Sequence, residues 1–314
     1  MRYRTLGETG IEVSELCLGV LTVGPLQEDL SPGEGGRVIR HALERGITFL
    51  DTAEAYGTYP HIRAALRGCP VRPVVATKSY AHTGEDMRRS LERARREMDL
   101  DVIDLFLLHE QESEATLRGH QQALEFLVEA RERGLVRAVG ISTHSVRGAV
   151  AGALHPLVQV IHPLLNLAGL GIMDGSREQM QAAIALARLR GKGVYAMKAL
   201  GGGNLISRAR EALAFVRSVP FVDAVAVGMK SVDEVELNLA WAEGRTDDEL
   251  QARVGAQPRR LHVEAWCSGC GSCLEACRYG ALSLHDQRVQ VDAAGCLLCG
   301  YCAGSCPDFC IKVV

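Results

Sequence analysis

Ile103-Asp104-Leu105-Phe106-Leu107-Leu108-His109 is an almost unbroken apolar run closed by a histidine. A run this short, bounded by polar residues, reads as a strand buried on both faces, as strands of parallel sheets are. The same grammar recurs on either side. Thr48–Asp51 ends in Asp51, Val74–Lys78 in Lys78 and Arg137–Ser142 in Ser142; Glu15–Gly19, Val158–His162, Val194–Leu200 and Ala224–Gly228 complete eight. Helical periodicity fills the gaps, over Glu34–Arg45, Glu85–Met98, Gln121–Arg133, Glu178–Arg190 and Arg208–Val219. Eight strand-then-helix units predict an α/β fold, a (β/α)8 TIM barrel over residues 1–245, with functional side chains at the C-terminal strand ends. The competing doubly wound sheet lacks the G-x-G-x-x-G expected after its first strand.

The chain has 314 residues, 47% hydrophobic and 23% charged, with a net charge of −3. That length predicts about two domains. The charge balance calls for no nucleic-acid partner. No apolar run approaches the ~20 residues of a membrane span, and no signal-peptide pattern opens the chain. A cytoplasmic protein with no membrane partner is expected. Of eleven cysteines only Cys17 and Cys69 precede residue 260. Clustered thiols without an export signal point to metal rather than disulfides.

The cysteines form two runs, Cys267-x2-Cys270-x2-Cys273-x3-Cys277 and Cys296-x2-Cys299-x2-Cys302-x3-Cys306-Pro307, offset by 29 residues. This is the bacterial ferredoxin spacing, in which the fourth cysteine of each run ligates the other cluster. It predicts two [4Fe-4S] clusters, one on Cys267, Cys270, Cys273 and Cys306, the other on Cys296, Cys299, Cys302 and Cys277. Zinc is the alternative, but it takes separate sets of four and interleaved runs suit it poorly. Ala281–Leu284, Arg288–Asp292 and Ile311–Val314 read as short strands. The organisation expected is a barrel over 1–245, a helix and linker over 246–260, and a small α+β dicluster ferredoxin-like domain over 261–314. Arg278 replaces the proline usual after a fourth cysteine, and Cys310 has no place in the ligand scheme beyond a buried apolar one.

In a barrel, Asp51, Lys78 and His109 stand side by side at one mouth, with Tyr56 five residues beyond Asp51. A lysine ending an apolar strand is costly to desolvate unless paired, and Asp51 is its natural partner. An ammonium beside a phenol lowers the phenol's pKa, so Tyr56 is expected to donate a proton near neutral pH. A neutral His109 would orient a carbonyl. Three of only five lysines, Lys78, Lys198 and Lys230, lie at or just past strand C-termini.

The Asp51, Tyr56, Lys78 and His109 positions, with the opening Arg2-Tyr3-Arg4-Thr5-Leu6-Gly7-Glu8-Thr9-Gly10-Ile11-Glu12-Val13-Ser14, resemble the aldo-keto reductase family: its catalytic tetrad and its bottom-plugging hairpin. The likeness runs to about residue 240. With the tail, the chain resembles the prokaryotic iron–sulfur subgroup. The resemblance implies reversible hydride transfer from NADPH or NADH to a carbonyl, or back from an alcohol, with Tyr56 as general acid. It implies that Ser142 and Gln159 hold the nicotinamide carboxamide, and that Met197 stands where relatives stack an aromatic ring, with Lys198 beside it. Gly201, Gly202 and Gly203 would admit the pyrophosphate. Gly228, Lys230, Ser231 and Asn238 would meet the adenosine end. Where relatives that prefer NADPH carry an arginine, this chain has Glu234 and Val235, leaving both nicotinamides open.

Nicotinamide moves two electrons as hydride and each cluster one. The expected protein is an oxidoreductase linked to single-electron transfer, with a small carbonyl or alcohol substrate and a ferredoxin or flavoprotein electron partner. The alternative is a relay or nicotinamide-redox sensor acting through a partner, its clusters structural or docking. Short loops after the strands predict an open, shallow mouth, and Trp266 is the expected anchor of the tail on the barrel.

Overall fold

The computed structural model describes residues Met1–Val314. The chain opens with an antiparallel hairpin, β1 (Tyr3–Thr5) and β2 (Glu12–Ser14). Eight parallel strands then close into a barrel: β3 (Leu16–Gly19), β4 (Phe49–Asp51), β5 (Val74–Ser79), β6 (Ile103–Leu108), β7 (Val136–Thr143), β8 (Val160–Pro163), β9 (Gly193–Ala196) and β10 (Ala224–Gly228), which pairs back onto β3. Leu6, Ile11 and Val13 of the hairpin segment pack with the inward residues Phe49, Leu105, Leu107 and Val160, so the hairpin plugs one end of the barrel. The other end, where β4, β5 and β6 finish, is left for function.

The outer layer is helical: α1 (Pro32–Glu44), α2 (Tyr59–Leu66), α3 (Gly84–Met98), α4 (Glu114–Gly119), α5 (Gln121–Glu132), α6 (Val146–Leu154), α7 (Arg177–Leu189), α8 (Ala209–Ser218) and α9 (Val232–Ala242). Six of them start on a side-chain cap: Ser31, Thr83, Ser113, Ser145, Ser176 and Ser231 each accept from a backbone N–H in the following turn. Such a cap stabilises a helix by about 1 kcal/mol. Their apolar faces and the outward strand residues form one core of 50 buried residues. Periodicity did not reveal α2, α4, α6 or α9. Helix α6 carries Gly148 and Gly152, poor helix formers. Both are needed, because a Cβ would meet the Gln111 carbonyl oxygen at 2.1 Å or Ile141 Cδ1 at 2.5 Å.

After α10 (Asp248–Gly255) comes the cysteine-rich tail. In it β11 (Leu261–Val263) pairs antiparallel with β14 (Ile311–Val313), and β12 (Leu282–His285) pairs with β13 (Arg288–Val291). Short helices α11 (Ser272–Ala276) and α12 (Tyr301–Gly304) each carry the third thiol of a run, Cys273 and Cys302. Leu261, Leu282, Val289, Ile311 and Val313 form its core together with the cysteines.

The tail lies on the functional end of the barrel. The Val313 N–H donates to the Gly202 carbonyl at 2.9 Å, Asn204 Nδ2 donates to the Ile311 carbonyl at 3.1 Å, and Arg260 donates to the Gln27 carbonyl at 2.9 Å. Phe309 packs on Gly171, where a Cβ would sit 2.6 Å from its ring. Trp266, the expected anchor, is 59% exposed. A tryptophan needs a deep recess to bury fully, and the flatter contact is made instead by Phe309 and β14. No helix of the chain is long and apolar enough to cross a membrane.

Candidate active site

The ends of β4 and β5 bring Lys78 and Asp51 together as sequence predicts. Lys78 is 1% exposed, and its Nζ donates to Asp51 Oδ2 and to the Thr52 carbonyl, both at 2.7 Å. A buried ion pair survives desolvation only when its remaining lone pairs and protons are also satisfied. Here Tyr195 on β9 donates to Asp51 Oδ1 at 2.9 Å, and His162 Nε2 lies 3.6 Å from the same oxygen. The His162 ring stacks on Tyr195, with centroids 3.8 Å apart. Tyr195 was not singled out from sequence, because a tyrosine inside an apolar strand reads as core.

Tyr56 ends a 3-10 turn (Glu54–Tyr56), with Gly57 in the left-handed conformation behind it. Its ring centroid is 5.0 Å from the Lys78 ammonium and 5.8 Å from the His109 ring. The expected lowering of its pKa is not found. Burial pushes the phenol well above its usual range, and the Asp51 carboxylate adds to this, since the Lys78 charge is already committed to Asp51. Tyr56 therefore rests as a neutral phenol. His109 is held well below its ordinary pKa by burial and then by the Lys78 ammonium, so it is neutral, with Nδ1 buried and unpartnered. Tyr80, also missed in the sequence, stacks on His109 with centroids 4.3 Å apart and donates to Glu110 at 2.6 Å.

Asp51, Tyr56, Tyr80, His109 and His162 line one cavity of about 1690 Å³, with Lys78 and Tyr195 buried behind them. The open, shallow mouth expected from short loops is not what forms: the tail roofs it, contributing Glu264, Trp266, Phe309, Lys312 and Val313 to the lining. Beyond the tetrad the cavity runs past Met197, Lys198, Gly228, Lys230 and Asn238, whose Oδ1 is buried without a partner. Other expected cofactor positions lie elsewhere. Gln159 precedes β8, away from the mouth, and its Oε1 accepts from the Val139 N–H; Val160 and His162 take the inward positions that alternation denies it. Ser142 is fully buried and its Oγ accepts from the Glu110 N–H at 2.9 Å. Ser231 caps α9.

The triple glycine also differs from expectation. All three residues have positive φ, and the backbone they admit is the chain's own. A Cβ on Gly203 would lie 1.9 Å from the Val313 carbonyl oxygen, and one on Gly201 would meet Leu170 and Leu205. Close approach was legible; the approaching partner was not.

In the tail, Cys267, Cys270, Cys273, Cys306 and Cys310 line one small cavity with Gly271, Val289 and Ile311. Cys302 is close enough to Cys299 and Cys277 to feel their charge. All eleven cysteines are free thiols. No three His, Cys, Asp or Glu side chains converge tightly enough for a single ion. Cys310 is buried, its Sγ 3.2 Å from that of Cys306.

Comparison with known proteins bears on the barrel. The model of the Aldo/keto reductase family matches residues 15–211. An aldo-keto reductase of Mycolicibacterium paratuberculosis is 30% identical over 152 residues, 45% of this chain and 52% of that protein. The 6-dehydroglucose reductase of Novosphingobium aromaticivorans is 27% identical over 159 residues, 45% of this chain and 51% of that protein. The chain thus spans about half the length of these curated relatives. A crystal structure assigned to the aldo-keto reductases, from Pseudomonas aeruginosa, superposes with a TM-score of 0.67 at 26% identity, covering 77% of this chain and 95% of that one.

Proposed function

Because the chain belongs to the aldo/keto reductase family, we propose that this oxidoreductase interconverts a small carbonyl compound and its alcohol with NADPH or NADH, and that the tail over 261–314 holds two [4Fe-4S] clusters serving the same cavity. A bound nicotinamide supplies or accepts the hydride. Tyr56 gives the proton to the carbonyl oxygen, and neutral His109 orients that oxygen. The Lys78–Asp51 pair, braced by Tyr195, fixes the site and places a positive charge beside the phenol. One observation carries the reading: Tyr56 and His109 face one cavity beside a buried Lys78–Asp51 pair that also bonds the Thr52 carbonyl and the Tyr195 hydroxyl. The orphaned Asn238 Oδ1 in the same cavity fits a cofactor running toward β10.

Support for the clusters comes from the donor set. Thiols from both runs border a single cavity, Cys306 joining Cys267, Cys270 and Cys273, as interleaved ligation requires. The absence of a tight single-ion group is compatible with a cubane, which spreads its thiolates, whereas zinc draws sulfurs to ~2.3 Å from one point. Ser268 and Asp308 line both this cavity and the barrel cavity, so a cluster there would stand at the wall of the active site. That favours clusters in redox contact with the cavity, where two single electrons and one proton would balance each hydride transferred, with a ferredoxin or flavoprotein as the outside electron partner, over a purely structural tail.

The test is Tyr56→Phe in the anaerobically prepared full chain. Nicotinamide binding should persist while carbonyl reduction falls by roughly 10²–10⁴-fold, the usual worth of general acid catalysis. Reduction at the parental rate would remove Tyr56 from the role. The same preparation should carry about eight iron and eight sulfide per chain; stoichiometric zinc would refute the cluster assignment.

A further inference from the structure

Two of the five lysines face the cavity without an ionic partner. Lys78 is paired with Asp51 and Lys230 with Glu28. Lys198 and Lys312 have no carboxylate oxygen within 4.0 Å. Lys198 follows β9 in the loop, with φ at 58°, a left-handed conformation that costs an L-residue energy. Its ammonium makes no hydrogen bond with the protein. Lys312, on β14 of the tail, is 5% exposed, and its ammonium donates to the Phe309 carbonyl. The two converge on one ring: Lys198 Nζ is 5.2 Å and Lys312 Nζ 3.3 Å from the Phe309 centroid.

The nearby acids make no direct contact with them: Glu110 accepts from Tyr80 at 2.6 Å and Glu264 lies 3.3 Å from His262 Nε2, so their charges act on Lys198 only at longer range. Burial lowers Lys198 to about 8 and Lys312 to about 6, and the Lys198 charge further lowers Lys312. Near neutral pH the pair alone therefore holds about one positive charge, and a bound anion would favour protonation of both lysines. The pair also lies beside the carbonyl site: the Lys198 charge acts on His109, and both ammonium groups act on His144.

We propose that Lys198 and Lys312 form an anion subsite for the substrate, so that the enzyme acts on a carbonyl compound bearing a carboxylate. The inference rests on reading Tyr56 and His109 as the carbonyl site. The carbonyl oxygen lies at Tyr56 and His109, and the carboxylate lies between one ammonium from the barrel and one from the tail. A monoanion suits the site better than a phosphate dianion, because the charges of Glu110 and Glu264 also reach Lys198. The tail thereby supplies a specificity residue, and substrate selection depends on its docking.

The experiment compares para-formylbenzoate with its uncharged methyl ester on the anaerobic full-length protein, using turnover and calorimetric binding. The parent should favour the carboxylate in kcat/KM by roughly 10–100-fold, the span of a charge-assisted hydrogen bond. Lys198→Met and Lys312→Met should each erode that ratio, and Lys312→Arg should retain most of it. An unchanged ratio in both methionine variants would overturn the proposal. So would weakened NADH binding with the probe ratio intact, which would give the lysines to the cofactor's pyrophosphate. If neither aldehyde were reduced, the carbonyl-reductase reading would fail by itself. Calorimetry would still decide the subsite, by whether para-formylbenzoate binds tighter than its ester and loses that advantage in the variants.

Discussion

Gly203→Ala tests whether the tail is held on the barrel by close backbone approach. Gly203 has φ at 86°, and an added Cβ would stand 1.9 Å from the Val313 carbonyl oxygen. To reach ordinary contact near 3.4 Å, β14 must retreat by about 1.5 Å, and the Val313 N–H would leave the Gly202 carbonyl. Two costs combine: the left-handed conformation, about 1–2 kcal/mol for a residue with a Cβ, and the lost hydrogen bond, about 0.5–1.5 kcal/mol. The first acts on the barrel loop and the second on docking. Gly134→Ala separates them, since Gly134 has φ at 74° with nothing within 4 Å of the added Cβ. Hydrogen exchange at the Val313 amide is the assay. Gly203→Ala should speed it by roughly tenfold, as about 1.4 kcal/mol of easier opening implies, while Gly134→Ala leaves it at the parental rate. Equal exchange in the two variants would show that β14 is not seated through Gly203.

Three further outcomes are expected. Tyr195→Phe keeps the ring stacked on His162 but leaves Asp51 Oδ1 without its donor; it should lower stability to denaturant by about 1.5–3 kcal/mol, and a loss under about 0.5 kcal/mol would refute the bracing role. Burial holds His162 at about 4, below its ordinary 6.5, so between those pH values the unfolded chain binds the extra proton and stability falls with acidification. About 3 kcal/mol should be lost from pH 7 to pH 4 through this residue, and His162→Gln should flatten that part of the stability profile. Cys310→Ser should leave the iron content unchanged, while Cys306→Ser should lower it despite the two sulfurs being 3.2 Å apart; equal losses would make Cys310 a ligand.

The barrel was legible because parallel strands are buried on both faces, so each reads as an apolar run that stops at the polar residue it delivers. Asp51, Lys78 and His109 are such stops, and they meet as expected. Residues whose role depends on a distant partner were not legible. Gly201-Gly202-Gly203 has the same composition whether it admits a phosphate or a β-strand. Lys312 sits in a tail strand with nothing local to show that it faces the barrel. Gln159 shows the opposite failure, a motif match overruled by its place before β8, where its carbonyl accepts from the Gly193 N–H, while Val160 and His162 take the inward positions. Strand β9 is also shorter than its apolar run predicts: it stops at Ala196, and residues through Leu200 form the bend that turns Lys198 into the cavity.

Asp51 belongs to β4, yet it is gripped from β5 by Lys78 and from β9 by Tyr195. Strands β4 and β9 are not neighbours in the wall; β3 and β10 stand between them. A cask of staves joined only edge to edge can spring at one seam while the rest holds. Here a tie crosses the interior, and springing either side would strand a charge in a dry place. Breathing motions confined to one seam are therefore suppressed near the mouth. The amides of β4, β5 and β9 should exchange together, as a block that opens only when the whole barrel does.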